Sequence, residues 1–310
     1  MNIMITDYCN LSCEYCFAKN EMTKDGEITL ENFNYILNFL KHSNEQSVNL
    51  IGGEPTLHSD FGQILNMIKE CDFKAVNIYT NGLFGKKVLE TIYNFNMSVP
   101  INLIINLNSP KIIGDIAYNK ILSNMKELIH RGVSIVLGLN LFEPNYDYDF
   151  FFDAVYNLNI QKVRWSVVVP LHKPINIFLY YKSFVDSVIR FLQKCHDLNC
   201  ETFCDCNRIP ACAFDDEQLR QMIYLQPDYF ISHKCKPVLD VDINLNVFRC
   251  FATSNLLKLN LRDFSNITEI YSFFCFAIDK RNDNNQPQKC KLCNSSKNCR
   301  NGCISINKGE

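Results

Sequence analysis

The chain has 310 residues, 33 acidic and 31 basic side chains, and 47% hydrophobic residues. A formal charge of -2 gives no basic footprint for nucleic acid. No apolar run reaches the roughly 18 residues of a membrane span, and the start Met1-Asn2-Ile3-Met4 lacks the basic and long apolar segments of a secretory signal. A cytoplasmic protein with no nucleic-acid or membrane partner is expected, long enough for one large domain or two ordinary ones. Its 16 cysteines are then unusual, because reduced thiols in such number point to metal or redox chemistry before disulfides.

Along the first two hundred residues, Val- and Ile-rich runs alternate with amphipathic ones. Strands are predicted at Asn2–Asp7, Ser47–Ile51, Ala75–Tyr79, Ile101–Asn106, Val133–Leu139 and Lys162–Val169. Between them, Leu30, Phe33, Ile36, Leu37 and Leu40 mark a helix capped by Thr29, and Phe61, Ile64, Leu65 and Ile68 mark one preceded by Ser59. Further helices are predicted at Lys86–Phe95, Asp115–His130, Tyr148–Leu158 and Phe178–Leu198. Six strand–helix units in series predict an α/β fold with a parallel sheet, open or curled into a partial (β/α)6 barrel of TIM-like kind over residues 1–200. Residues 201–310 form a small cysteine-rich domain in this reading, with 201–234 as a bridging segment. Only Glu217–Leu225 reads as helical there, and 282–287 forms a polar break. Such a region buries little apolar surface, so metal is its natural source of stability.

Three cysteines sit in Cys9-Asn10-Leu11-Ser12-Cys13-Glu14-Tyr15-Cys16, directly after the first strand. Three soft thiolates in eight residues can hold three irons of a cubane and leave the fourth iron open for chemistry. Part of a zinc knuckle is the plainer alternative. Gly52-Gly53-Glu54-Pro55 follows the second strand, Thr80-Asn81-Gly82 closes the third, and Asn106-Leu107-Asn108-Ser109 ends the fourth. Each also reads as an ordinary strand-end turn. Asn140 and Arg164 lie near the ends of strands five and six, on the rim where barrel sites are found.

Together these segments resemble the radical S-adenosylmethionine (radical SAM) enzymes, over roughly residues 2–170. The resemblance makes Cys9, Cys13 and Cys16 the ligands of a [4Fe–4S] cluster, with Tyr15 as the aromatic residue that precedes the last cysteine of the family motif. It makes Gly52, Gly53, Glu54, Pro55, Asn81, Asn106, Asn140 and Arg164 candidates for holding S-adenosylmethionine, Glu54 as anionic partner of its ammonium group. It further implies reductive cleavage to a 5′-deoxyadenosyl radical that abstracts a substrate hydrogen, with a flavodoxin- or ferredoxin-type electron donor.

The tail Cys290-x2-Cys293-x5-Cys299-x3-Cys303, with Cys235 and Cys250 upstream, resembles the SPASM extension of such enzymes, which carries auxiliary [4Fe–4S] clusters. A zinc ribbon is the alternative. By the resemblance, Cys235, Cys250 and Cys303 hold the first auxiliary cluster, and Cys290, Cys293 and Cys299 the second, for about twelve irons in three cubanes. Cys212 is the first candidate for the missing ligand of the first cluster, and Cys206 the next. Cys212 is equally an option for a hydrogen donor, and no catalytic acid or base is otherwise assigned. The second cluster is expected to be open, absent, or completed by Cys204, Cys206 or Cys275, because the sequence stops at Glu310 where relatives carry a further cysteine. Leu245 stands where the family pattern has glycine. Cys71, Cys195 and Cys200 read as packing residues, and Trp165 as core.

SPASM enzymes act mainly on peptides and proteins. The implied function is modification of a ribosomally made peptide by thioether or carbon–carbon crosslinking, epimerisation or oxidation, possible with a separate leader-binding partner. Alternatives are a maturase of a folded protein, a radical dehydrogenase of a small alcohol or sugar distinguished by what Arg164, Trp165 and Arg208 line, and a non-catalytic metal-binding adaptor.

Overall fold

The structure, a computed structural model, describes residues 1–16, 18, 26–169, 176–230, 235–279, 288–293, 299 and 303–305. The polar break expected at 282–287 lies outside them. In chain order the main elements are β1 (Asn2–Met4), α1 (Leu30–His42), β2 (Ser47–Ile51), α2 (Phe61–Glu70), β3 (Ala75–Thr80), α3 (Lys86–Asn96), β4 (Ile101–Asn106), the short α4 (Pro110–Ile113), α5 (Asp115–His130), β5 (Ser134–Leu141), α6 (Asp149–Asn157), β6 (Lys162–Val167) and α7 (Ile177–Asp197). They are followed by β7 (Glu201–Cys204), α8 (Asp216–Leu225), β8 (Asp240–Val241), β9 (Asn246–Phe248), β10 (Leu259–Asn260) and α9 (Ile267–Phe274). The six expected strand–helix units are all present in an α/β chain.

Local chemistry explains most boundaries. Thr29 caps α1 as expected, its hydroxyl accepting from Asn32 N at 3.1 Å, and α1 buries Phe33, Ile36, Leu37, Phe39 and Leu40 at helical spacing. Ser59 does not cap α2. Its hydroxyl and amide are both held by Glu27, and Asp60 takes the cap position without a side-chain bond. Beyond residue 200 the described residues also hold helical segments that were not expected: α9, which buries Ile270 and Phe274, a π-helical turn at Cys275–Asp279 and a helical turn at Gln288–Lys291.

Two compact units divide the chain, Met1–Val136 with Pro237–Phe274, and Leu137–Lys236 with Cys275–Glu310. In the first, β8, β1, β2, β3 and β4 run parallel in that order, and β9 and β10 extend the sheet antiparallel from β8. A ladder of polar side chains crosses it in register. Asn102 donates to Asn77 at 2.9 Å, Asn77 to Asn49 at 2.7 Å, Asn49 to Asn2 at 3.3 Å, and Asn2 to Asp240 at 2.8 Å. Each amide is satisfied by its cross-strand neighbour, which fixes strand register as well as order. In the second unit β5, β6 and β7 are parallel, with Trp165 opposite Cys204. The β8–β9 turn keeps its bonds, Asp242 N to Asn246 O at 2.9 Å and Leu245 N to Asp242 O at 3.1 Å. Leu245 manages this at φ 64°, in the left-handed region where glycine was expected.

Candidate active site and thiol clusters

The segment leading into the first three cysteines is positioned by backbone pairing, and Cys16 also packs against Met4, Ala18, Phe248 and Phe251. Where β1 ends, the segment after β2 continues the pairing: Gly53 N donates to Thr6 O and Glu54 N to Tyr8 O, each at 2.8 Å. A Cβ on Gly52 would stand 2.5 Å from Thr6 O, and one on Gly53 only 2.2 Å from Tyr8 O. The two glycines are therefore needed because the chain leading into Cys9 lies directly against them, a different reason from approach to a ligand. Pro55 opens a short turn at Pro55–Leu57, capped by the Glu54 side chain.

Glu54 is fully buried and held by four donors. Its Oε1 accepts from Thr56 N at 3.2 Å, Thr56 Oγ1 at 2.6 Å and Thr80 Oγ1 at 2.7 Å, and its Oε2 from Asn81 N at 2.7 Å. Burial nevertheless raises its pKa above the ordinary carboxylate value, against the lowering effect of these bonds. One side chain thus ties the end of β2 to the end of β3. Among the described residues Oε2 has a single hydrogen-bond partner and keeps an acceptor position.

Side-chain amides surround the thiols. Asn81 Nδ2 reaches Asn10 Oδ1 at 2.7 Å and Cys9 Sγ at 3.9 Å, while Leu11 N points at Cys9 Sγ from 3.5 Å. Asn108 Nδ2 donates to Cys13 Sγ at 3.6 Å, and the hydroxyl of Tyr15 donates to Asn108 Oδ1. Burial pushes Cys9 up to about 11 and raises Cys13 as well. Thiols so raised ionise only against a cationic partner, which suits binding of iron, with release of their protons. Asn106 Oδ1 is buried without a hydrogen-bond partner among the described residues, an acceptor left over for a ligand. The set of soft donors, an unused acceptor and a braced carboxylate fits a three-cysteine cluster with S-adenosylmethionine beside it. Sequence reasoning singled out Asn106 and passed over Asn108, whose only signal was its place two residues further along.

In the second unit, Cys206, Cys235 and Cys303 act electrostatically on Tyr181, whose hydroxyl accepts from Cys303 N at 3.2 Å, and Cys206 also senses Cys235 and Cys303. Burial raises Cys212 and Cys290, with smaller contributions to both from Cys299 and Cys293. Cys250 belongs to the first unit, its thiol 3.4 Å from Thr253 Oγ1. Cys204 is buried and pushed up to about 12, and Cys275 is half-buried. Asn140 accepts from Ser166 at 2.7 Å, and Arg164 pairs with Asp205. Trp165 stacks on buried Tyr229 at 5.8 Å, and Arg208 lies over the same ring while donating to Tyr229 O at 2.5 Å. Sequence reasoning did not anticipate Tyr229.

Among the described residues, no three or more His, Cys, Asp or Glu converge where a single metal ion could sit, at the N-terminal triplet as elsewhere. A cubane takes its cysteines at separate corners, so it does not need that convergence, whereas one zinc ion does. No helix among the described residues is long and apolar enough to cross a membrane.

Comparison with known proteins bears on the N-terminal site. The family model of the Radical SAM superfamily matches residues 3–154. Among curated proteins, the chain is 41% identical over 83 residues to an S-adenosylmethionine-dependent nucleotide dehydratase of Selenomonas ruminantium, covering 26% of this chain and 29% of that one. It is 26% identical over 177 residues to a probable GTP 3′,8-cyclase of Saccharolobus islandicus, covering 56% of each. The chain thus spans about half or less of the curated relatives it matches. Its fold is similar to that of Streptococcus suis SuiB bound to S-adenosylmethionine, with a TM-score of 0.70 at 16% identity, over 98% of this chain and 72% of that one. It is also similar to anSMEcpe with bound AdoMet and Kp18Cys peptide, with a TM-score of 0.71 at 15% identity, over 100% of this chain and 90% of that one. Residues 3–154 therefore form a domain of the Radical SAM superfamily, the family whose members use S-adenosylmethionine and a [4Fe–4S] cluster.

Proposed function

We propose that the enzyme abstracts hydrogen from a peptide and installs a crosslink, an epimerised centre or an oxidised side chain. The observation that carries this reading is the fold likeness to SuiB and anSMEcpe over nearly the whole chain, cysteine-rich tail included. Both are represented by structures that hold peptides, SuiB its precursor peptide SuiA and anSMEcpe the Kp18Cys peptide.

In this proposal Cys9, Cys13 and Cys16 hold the catalytic cluster. When bound, that cluster and S-adenosylmethionine supply the hydrogen-abstracting radical. The chain's own residues orient the pair. Glu54 Oε2 accepts from the methionine ammonium, Asn106 Oδ1 offers its unused acceptor, and Asn81 and Asn108 fix two of the thiols through their amides. Tyr15, held by Asn108, contributes an aromatic wall. Cysteines of the tail hold auxiliary clusters, and a flavodoxin- or ferredoxin-type protein delivers the electron.

A second reading rests on the curated relatives, which are named for nucleotide substrates. One experiment separates the two. Anaerobically reconstituted enzyme with dithionite and S-adenosylmethionine is supplied with small peptides encoded beside its gene, or with nucleoside triphosphates, and 5′-deoxyadenosine is quantified with the substrate's mass. Coupled turnover with a peptide, with loss of two hydrogens for a crosslink or oxidation and none for an epimer, supports the proposal. Coupled turnover with a nucleotide alone overturns it.

A further inference from the structure

We propose that Asn124, within α5, is a positioning residue for the N-terminal cysteine site: it fixes the peptide that makes Asn81 present an N–H, and not an oxygen, to Cys9. The assignment rests on the proposed function, in which Cys9, Cys13 and Cys16 hold the catalytic cluster.

Asn124 stands among apolar residues. Ile121, Met125 and Leu128 share the buried face of α5, and Asn124 itself is 2% exposed. A leucine would suit the helix better, because asparagine is a weak helix former and a buried amide costs free energy unless it is bonded. The amide is bonded outside its own helix. Nδ2 donates to Gly82 O and to Phe84 O, each at 2.9 Å. Gly82 and Phe84 are buried, and between them Leu83 is half-buried.

From Leu83 a closed ring of three hydrogen bonds reaches the cysteine segment. Leu83 N donates to Asn81 Oδ1 at 2.8 Å, Asn81 Nδ2 to Asn10 Oδ1 at 2.7 Å, and Asn10 Nδ2 back to Leu83 O at 2.8 Å. Each of the three groups both donates and accepts, so the bonds polarise one another. Asn81 Nδ2 also reaches Cys9 Sγ at 3.9 Å.

One peptide joins Asn124 to this ring. A planar trans peptide points its C=O and N–H in opposite directions, so holding Gly82 O aims Leu83 N–H at Asn81. Glycine at 82, with φ 77°, leaves that peptide free to turn unless something holds it. Turned over, the peptide would offer Asn81 a carbonyl in place of the N–H. Asn81 meets a carbonyl only with Nδ2, and its Oδ1 would then face Cys9. An N–H toward a ligating sulfur stabilises the reduced cluster, whereas an oxygen there opposes it. Asn124 thus acts on the thiol through Leu83 and Asn81.

Full-length protein, reconstituted anaerobically, tests this by redox titration of the EPR signal that changes when S-adenosylmethionine is added, which marks the N-terminal cluster. Asn124→Leu removes both bonds at similar volume and should make reduction about tenfold less favourable. Asn81→Leu should have a similar effect. The double variant should shift no further than either single one, because one residue acts through the other. In metal-free protein, hydrogen exchange at Leu83 N should be faster in Asn124→Leu. Leu128→Ala, one turn along the same helix, should lower stability and leave the potential unchanged. An unchanged potential in Asn124→Leu, additive shifts in the double variant, or an equal shift in Leu128→Ala overturns the proposal. If Asn124→Leu does not fold, Asn124→Ser, which keeps one donor, should show a smaller shift in the same direction, and no shift overturns the proposal equally. Absence of the S-adenosylmethionine-responsive signal from the unsubstituted protein would instead sink the cluster reading, and the proposal with it.

Discussion

Asn108 Nδ2 lies 3.6 Å from Cys13 Sγ, so an uncharged amide donates to a sulfur that, in the proposed function, holds the catalytic cluster. Donors to ligating sulfur stabilise the reduced, more negative cluster and raise its potential. Asn108 is only 3% exposed, and leucine replaces its amide at similar volume. Asn108→Leu should make cluster reduction about tenfold less favourable, a fall of about 59 mV for one electron. Redox titration followed by EPR reads it. The same substitution removes the acceptor that Asn108 offers the Tyr15 hydroxyl, so S-adenosylmethionine affinity should weaken as well.

Gly53 and Gly62 make a matched pair. A Cβ at Gly53 meets backbone at 2.2 Å, which cannot yield without moving the segment that leads to Cys9. Gly53→Ala should cost at least about 1–3 kcal/mol by overpacking and empty the N-terminal iron site while sparing iron in the tail. At Gly62, near the start of α2, the new methyl would only touch Thr91 at 3.7 Å. Gly62→Ala should stabilise by about 0.5–1 kcal/mol. Urea unfolding and iron analysis check both.

The extent to which this could be read in the sequence follows the range of each interaction. The bounds of β2, β4 and α5 matched their expected residues because alternation and helical spacing are local signals. The role of Ser59 was not legible, because Glu27, 32 residues away, takes its hydroxyl. The Asn2–Asn49–Asn77–Asn102 ladder was equally invisible, since only strand register reveals that four scattered asparagines are neighbours. Spacing marked Cys290, Cys293, Cys299 and Cys303 as a quartet. It carried no information on whether Cys206 or Cys212 lies beside them, because that depends on where the turn at Ala211–Ala213 packs.

Glu54 gives a pH-dependent signature. Its pKa is raised by burial in the folded state, so its contribution to stability is fully present below the unfolded value near 4.5 and is lost as pH rises through the folded value. Glu54→Gln has no such titration. It also sets an amide N–H2 against Asn81 N–H, or leaves the threonine hydroxyls to reorient, at a cost of about 1–3 kcal/mol for an unsatisfied buried group. The stability difference between the two proteins, from urea unfolding of metal-free samples, should therefore be greatest near pH 4.5 and shrink as pH rises. A constant difference would show that burial does not raise this carboxyl.

Leu245 sets two effects against each other at one residue. At φ 64° a non-glycine residue stores about 1–3 kcal/mol of strain, yet its side chain is fully buried. Deleting a buried leucine side chain costs about 2–5 kcal/mol, so burial outweighs strain and leucine is tolerated where the family pattern has glycine. Leu245→Ala loses the side chain and keeps the strain. Leu245→Gly loses the side chain but is free of strain. The expected order of stability is unsubstituted, then Leu245→Gly, then Leu245→Ala, the two variants separated by about 1 kcal/mol. Leu245→Gly above the unsubstituted protein in urea unfolding would mean that strain dominates, and equal variants would mean that the β8–β9 turn does not hold φ near 64° in solution.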